Sequence, residues 1–310
     1  MFEKFLGNQS IDDIEPSKRT LDQIVGDVSS KAIESLKYEK KSKKMVDNLI
    51  VVTSASGGAG ASTVVANMVY ELSKEFDICV IDLNIIFPTQ YIYMGIDQTS
   101  SSMPSKDLVD LLTGECSIGE AIVPCKKSGV VGSKSSSNVG LLYAKNRSLI
   151  DKIDIEEKSA IDNMTDILLR LRDLYDLVIV DCPMDLQHGA VNNILYLCDH
   201  IYLVWDEGIS SIVNTERIRK NAMKCGIDTF SKMSIILNKR TNIQYTKSPV
   251  QRLNMRLDGV LPFSSEIIDA SLSGVVFCDK YASSKKASNV FARSIRGLCE
   301  VVKSDGGMIG

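Results

Sequence analysis

Three glycines in four positions, followed by two hydroxyl residues, form the stretch of this chain best suited to chemistry: Ser56-Gly57-Gly58-Ala59-Gly60-Ala61-Ser62-Thr63. They follow the apolar, β-rich run Ile50-Val51-Val52-Thr53 and open a helical pattern. A glycine-rich turn between strand and helix can aim successive backbone N–H groups into one concavity, and the helix N-terminus adds its own amides and dipole. Such a nest suits phosphate. What it lacks is charge, because a phosphate loop that ends Gly-Lys-Ser or Gly-Lys-Thr carries a lysine where this one has Ala61. That loss removes a charge-assisted contact worth about 1.5–3 kcal/mol. Binding is therefore expected to outlast phosphoryl transfer, which depends on charge placed around the transferred group. A purely structural strand-to-helix turn is the plain alternative.

Further candidates follow in chain order. Cys79-Val80-Ile81-Asp82-Leu83-Asn84 ends a strand with a carboxylate and an amide. Asn84 can hydrogen-bond a water but cannot supply the negative charge that polarises it. Tyr175-Asp176-Leu177-Val178-Ile179-Val180-Asp181-Cys182-Pro183 is a Walker B pattern, with Asp181 at a strand's C-terminal end. A carboxylate there can hold magnesium through water, with Ser62 Oγ as a direct ligand. Ile235-Ile236-Leu237-Asn238-Lys239-Arg240 ends another strand with an amide, and Val260-Leu261-Pro262-Phe263 precedes Ala270 and Gly274.

In this order the motifs resemble the MinD/ParA superfamily of deviant Walker A P-loop ATPases, over roughly residues 48–302. That superfamily's loop reads Lys-Gly-Gly-x-Gly-Lys-[Ser/Thr]-Thr, with a first lysine that crosses to the partner subunit's nucleotide and a second that holds its own. Ser56 stands at the first lysine position and Ala61 at the second. Within the superfamily, Gly-Gly-x-Gly-Ala-Ser-Thr looks most like the CpaE/TadZ branch, whose members position tight-adherence pilus machinery. The resemblance implies ATP or ADP with Mg2+ as ligand. It puts Gly57, Gly58, Ala59, Gly60, Ala61, Ser62 and Thr63 around the phosphates and Ser62 and Asp181 at the metal. Asp82 and Asn84 fall where the family has an Asp-x-Asp catalytic pair, residues 184–190 where it has a nucleotide-sensing switch, and Asn238, Pro262 and Phe263 beside adenine. It further implies a nucleotide-binding scaffold that works as a homodimer with pilus or secretion-system proteins, hydrolysis being weak or absent. Two alternatives stay open. One is a ParA/MinD-type partition or positioning ATPase acting on DNA or membrane, which uses the lysine that Ala61 replaces. The other is a kinase-like regulator of polysaccharide export, which needs a C-terminal tyrosine cluster; after Tyr245 this chain has Tyr281 alone.

Elements that could position these residues are legible in the pattern. Apolar runs at 49–53, 78–82, 139–143, 177–181, 200–204, 233–237 and 259–262 read as strands. Helical spacing marks 62–75, 105–113, 157–175, 210–225, 264–272 and 284–302. Continuous β-rich runs alternating with helices predict an α/β fold, doubly wound, with a mostly parallel sheet and helices on both faces. The predicted nucleotide-binding domain spans 48–303, behind an N-terminal helix and basic linker at 1–47 and before a flexible tail at 304–310. In that first segment Leu21, Ile24, Val25, Val28, Ala32, Ile33 and Leu36 form one stripe, which could serve packing or a partner. At 310 residues with 44% hydrophobic and 24% charged content, the composition is that of a soluble globular protein. A net charge of −3 gives no global attraction to nucleic acid. The basic residues Lys285, Lys286, Arg293 and Arg296 near the last helix could at most form a local patch for DNA or lipid headgroups. No apolar run has membrane-spanning length, so the expected location is cytoplasmic, with peripheral membrane contact left open. Eight scattered cysteines with no C-x-x-C pair suit small buried hydrophobes in a reducing compartment, not zinc.

Overall fold

The computed structural model describes residues 47–100, 103–125, 139–145, 158–183, 189–241, 250, 253–280 and 288–306. The expected N-terminal stripe at 21–36, the basic linker, the polar stretch at 126–137, Lys285, Lys286, the end of the tail and most of the switch segment lie outside the described residues.

The strands are β1 (Leu49–Ser54), β2 (Ile78–Asp82), β3 (Val123–Pro124), β4 (Val139–Leu142), β5 (Leu177–Cys182), β6 (His200–Trp205), β7 (Met233–Arg240) and β8 (Arg256–Pro262). They form one eight-stranded sheet in the order β3-β4-β2-β5-β1-β6-β7-β8. All neighbouring pairs are parallel except β3 with β4. The expected α/β, doubly wound, mostly parallel sheet is what the chain forms. β1 lies between β5 and β6, so chain connections diverge on either side of it, and a crevice opens beyond its C-terminal end. The glycine loop follows β1 directly.

Both sheet faces are covered, which is why the strands read as unbroken apolar runs and not as alternation. On one face Ile50, Val52, Val80 and Ile179 pack with Val64, Val65, Met68 and Leu72 of α1 (Ala61–Leu72). On the other, Leu49, Val51, Val178 and Val180 meet Met164, Ile167, Leu168 and Leu171 of α5 (Lys158–Leu174). The last helix, α11 (Ser288–Asp305), packs on α1 and β8. Its buried residues include Phe291, Ile295, Leu298 and Val302. Apolar residues at helical spacing there predict an inward stripe of Val290, Phe291, Ile295, Leu298 and Val301; in the structure Val290 is exposed and Val302 is buried in place of Val301. That helix also runs three residues past its predicted end to Asp305, into the expected tail, with Lys303 buried against Glu75 and Glu300.

Short elements complete the layers: α2 (Gln90–Tyr93), α3 (Leu108–Leu112), α4 (Ile118–Ala121), α6 (Gly189–Leu197), α7 (Ile209–Lys224), α8 (Thr229–Lys232), α9 (Ser265–Leu272) and α10 (Phe277–Lys280). α3 begins with a reciprocal capping box between Asp107 and Asp110. Asn67 joins α1 to α10 by accepting the Cys278 N–H on Oδ1 at 2.9 Å. All eight cysteines are free and six are buried, in line with a packing role. Among the described residues no helix is long and apolar enough to cross a membrane.

Candidate functional site

Parallel register places the predicted residues at one sheet edge. Asp82 of β2 pairs directly with Asp181 of β5, and Val52 of β1 pairs with Asp181 from the other side. Ser54, the last residue of β1, feeds the glycine loop, and α1 begins at Ala61. Gly58 and Gly60 adopt φ of 77° and 96°, the left-handed region in which a side chain is strained. At Gly60 a Cβ would also lie 2.6 Å from Asn238 Nδ2. Gly60 is the N-cap of α1 and no side chain caps that helix end, so its first amides face the crevice without an internal partner.

What holds the loop is a set of donors aimed at its carbonyls. Asn214 of α7 donates to Ala55 O at 3.0 Å, Lys239 Nζ to Gly58 O at 2.6 Å, and Asn238 Nδ2 to Ala59 O at 2.8 Å. Gln90 Nε2 donates to Ser62 O at 3.0 Å. With four carbonyls engaged by outside donors, the loop is set in a conformation that leaves N–H groups for an anion. Two of these donors come from the end of β7, so the amide expected beside a base also anchors the loop.

The carboxylates form a second cluster. Asp82 is fully buried and accepts backbone N–H bonds from Asn84 at 3.0 Å, Thr89 at 2.8 Å and Gln90 at 2.9 Å. Burial raises its pKa, and those three amides work against the rise. Asp181 accepts from Gln90 Nε2 at 2.6 Å and is hydrogen-bonded by the Ser62 side chain. Burial first, then the charge of Asp82, pushes its pKa above the usual carboxylate range. Thr89 Oγ1 and Gln90 Oε1, beside these groups, are buried without a hydrogen-bond partner. Two buried acids together with hydroxyl and amide oxygens make an oxygen-only donor set, which fits a hard divalent cation such as Mg2+. Gln90 was missed by sequence reasoning; the only local signal was Pro88-Thr89 ahead of it, a plausible helix start. Asn84 lines the crevice, and its Oδ1 accepts the Phe87 N–H at 3.2 Å.

The crevice itself has a volume of about 680 Å³. Gly58, Gly60, Ala61, Ser62 and Thr63 line one end, and Pro262, Phe263 and residues of α9 line the other. At the second end Phe263, Ile268 and Leu272 expose apolar surface, Leu272 to 83%. A polar, amide-rich end and an apolar end, with Asn238 among the lining residues, match the two chemistries of a nucleotide. Gly57, though part of the loop, is exposed outside this lining, and Ala59 is buried beneath it.

Ser56 points elsewhere. It is 4% exposed, and its Oγ lies 3.0 Å from Ser211 Oγ at the start of α7. Ser211 in turn donates to Asp206 Oδ1 at 2.7 Å. The position at which the resembled family carries its crossing lysine is here a buried tie between loop and helix. Ala61 is likewise buried, 6% exposed.

Known proteins share this sequence pattern and this fold. The family model described as AAA domain matches residues 47–225. The septum site-determining protein MinD of Thermotoga maritima is 26% identical over 259 residues, covering 81% of this chain and 88% of that protein. Among solved structures, MinD of Pyrococcus horikoshii complexed with Mg-ADP superposes with a TM-score of 0.63 at 20% identity, covering 82% of this chain and 95% of that one. The ParA family ATPase of Chlorobium tepidum gives 0.64 at 18% identity, covering 82% and 98%. These structural likenesses are likenesses of fold.

Proposed function

The chain belongs to the AAA-domain family, among the MinD/ParA-type P-loop ATPases, and from that premise we propose that it is a nucleotide-binding positioning factor whose hydrolysis is slow or absent. The observation that carries this reading is the contrast within one crevice. The glycine nest and Ser62 line it, with Asp181 buried behind Ser62 and hydrogen-bonded to it, while Ala61 and Ser56 are buried where lysines would reach phosphate. In this reading the amides of Gly58, Gly60 and the start of α1 take the phosphates of ATP or ADP. Ser62 and Asp181 hold Mg2+, with Thr89 and Gln90 as further oxygens. Asn238, Pro262 and Phe263 flank the base. Bound metal supplies charge neutralisation at the phosphates. Asp82 serves as a structural anchor, since three backbone amides already claim it, and Asn84, which lines the crevice, is placed to orient a water.

The relatives reported above are septum site-determining MinD proteins and a ParA family ATPase, and the P. horikoshii MinD was solved with Mg-ADP. Both points favour a MinD/ParA-type role over one tied to pili. The CpaE/TadZ reading, with pilus or secretion-system partners, rests on Gly57-Gly58-Ala59-Gly60-Ala61-Ser62-Thr63 alone. Adjacent genes for a pilin, a secretion ATPase and a prepilin peptidase would support it. With Ser56 committed to Ser211, a face-to-face homodimer would have no lysine crossing to the partner's nucleotide, so its stability should depend only modestly on ATP. Light scattering with and without nucleotide tests this; a monomer that dimerises only with ATP contradicts it. The site itself is tested by thermal melting of the full chain with millimolar ATP or ADP and magnesium. A ligand at about a hundred times its Kd stabilises the fold by about 2.7 kcal/mol. No upward shift with either nucleotide would reduce the loop to a structural turn.

A further inference from the structure

The crevice lacks its P-loop lysines, yet it does not lack a cation. Lys239 is the one charged side chain among the described residues that line it. Its ammonium is anchored, donating to Gly58 O at 2.6 Å, and its Cε would lie 3.7 Å from a Cβ placed at Gly60. Three features of β7 put it there. From Leu237 to Arg240 the strand takes three steps while β8 takes two, from Val260 to Pro262, so one residue is extra and the ladder bulges. Lys239 adopts φ of 56°, a left-handed conformation uncommon outside glycine. Asn238 beside it is pinned to Ala59 O. A bulge with a left-handed residue re-aims a side chain, and here the re-aimed side chain is thrown back over the phosphate loop. The neighbouring cation, Arg240, is turned toward Glu207 at 3.7 Å and does not line the crevice.

We propose that Lys239, delivered by the β7 bulge, supplies in this chain the positive charge for nucleotide phosphates that Ala61 and Ser56 cannot. The proposal rests on the nucleotide-binding reading of the crevice. An ammonium has three N–H donors, so one can stay on Gly58 O while others meet a phosphate oxygen. Charge arriving from the sheet instead of from the loop explains how a nest with alanine at its lysine position can still hold a di- or triphosphate.

The test uses the full chain, Mg-ADP as probe, and two substitutions. Lys239→Gln keeps a side-chain N–H donor but removes the charge, while Lys239→Arg keeps the charge. Lys239 is exposed, and thermal melting without nucleotide checks that both variants fold as the native chain does. The expected result is an ADP affinity about tenfold to a hundredfold weaker for Lys239→Gln, as for loss of a charge-assisted hydrogen bond. Its dependence on salt should flatten as well. Lys239→Arg should stay within several-fold of the native chain in both respects. Unchanged affinity in Lys239→Gln overturns the proposal, and so does weaker affinity with an unchanged salt dependence, which would make Lys239 a brace of the loop and no more. An equal loss in Lys239→Arg also overturns it. If the native chain binds no ADP at all, the nucleotide reading fails first, and that outcome is visible before any variant is made.

Discussion

Side chains in this crevice do more holding than their positions in the chain suggest. Asn238 was legible as a strand-end amide suited to a base, but one of its two N–H donors is held by Ala59 O, a contact between residues 179 positions apart that no local pattern reveals. Ser56 could be recognised as a missing lysine, whereas its burial against Ser211 depends on where α7 begins. The glycines, Ser62 and Asp181 were legible because their chemistry follows from backbone freedom and strand-end position, both local properties. Gln90 was not, since its role comes from tertiary proximity to Asp181. Gly60 gives the sharpest prediction at this scale. With φ at 96° and Asn238 Nδ2 at 2.6 Å from the site of a Cβ, Gly60→Ala must both strain the backbone and displace the Asn238 amide. The expected cost is about 2–3 kcal/mol, from the left-handed penalty and one buried hydrogen bond. Urea denaturation should show it as a lower midpoint, together with lost nucleotide binding; a midpoint equal to the native one would mean that the loop relaxes freely.

Among the elements, β1, β2 and β4 to β7 were readable because burial on both faces leaves nearly unbroken apolar runs between polar turns. The short ones escaped for definite reasons. β3 is two residues long and contains Pro124, which an edge strand tolerates but no pattern announces. α6, Gly189–Leu197, is apolar along most of its length and follows directly on the segment expected to form a switch. α11 was found, with its inward face displaced by one position at each end, because apolar residues at helical spacing fix a stripe only to within its edges. Phe291 is the key of that helix: 1% exposed, edge-on to Phe277 with ring centroids 5.3 Å apart. Phe291→Ala should therefore destabilise the fold by about 3–5 kcal/mol. Because α11 packs on α1, which starts at the phosphate loop, a smaller loss would show that the helix is peripheral to the core. Differential scanning calorimetry reads either outcome.

Taken whole, the molecule separates its ligand end from a charged cluster at the opposite edge of the sheet. There His200, at the start of β6, contacts Ser234 Oγ at 2.7 Å and lies 3.8 Å from Asp258 Oδ2. Burial, and then the nearby charge of Arg256, lower its pKa from 6.5 to about 4, so it is neutral in the fold. A histidine depressed in this way favours the unfolded chain once protons are available. Its contribution is fully present above pH 6.5 and is lost as the pH falls from 6.5 to about 4. The loss is on the order of 3 kcal/mol. The stability difference between the native chain and His200→Gln should move against the native chain as the pH falls across that window. Parallel curves would assign the acid sensitivity to other groups.

This crevice is expected to bind nucleotide but to turn it over slowly, because Ser56 and Ala61 stand where loop lysines would act on the phosphates. One calorimetric titration of the full chain with ATP and magnesium addresses both halves, since binding and hydrolysis have separate heat signatures. The expected trace is a saturable binding heat in the micromolar range that returns to baseline after each injection. Sustained heat flow after saturation, corresponding to turnover of about 1 s⁻¹ or faster, would contradict slow hydrolysis, and a flat trace would contradict binding itself.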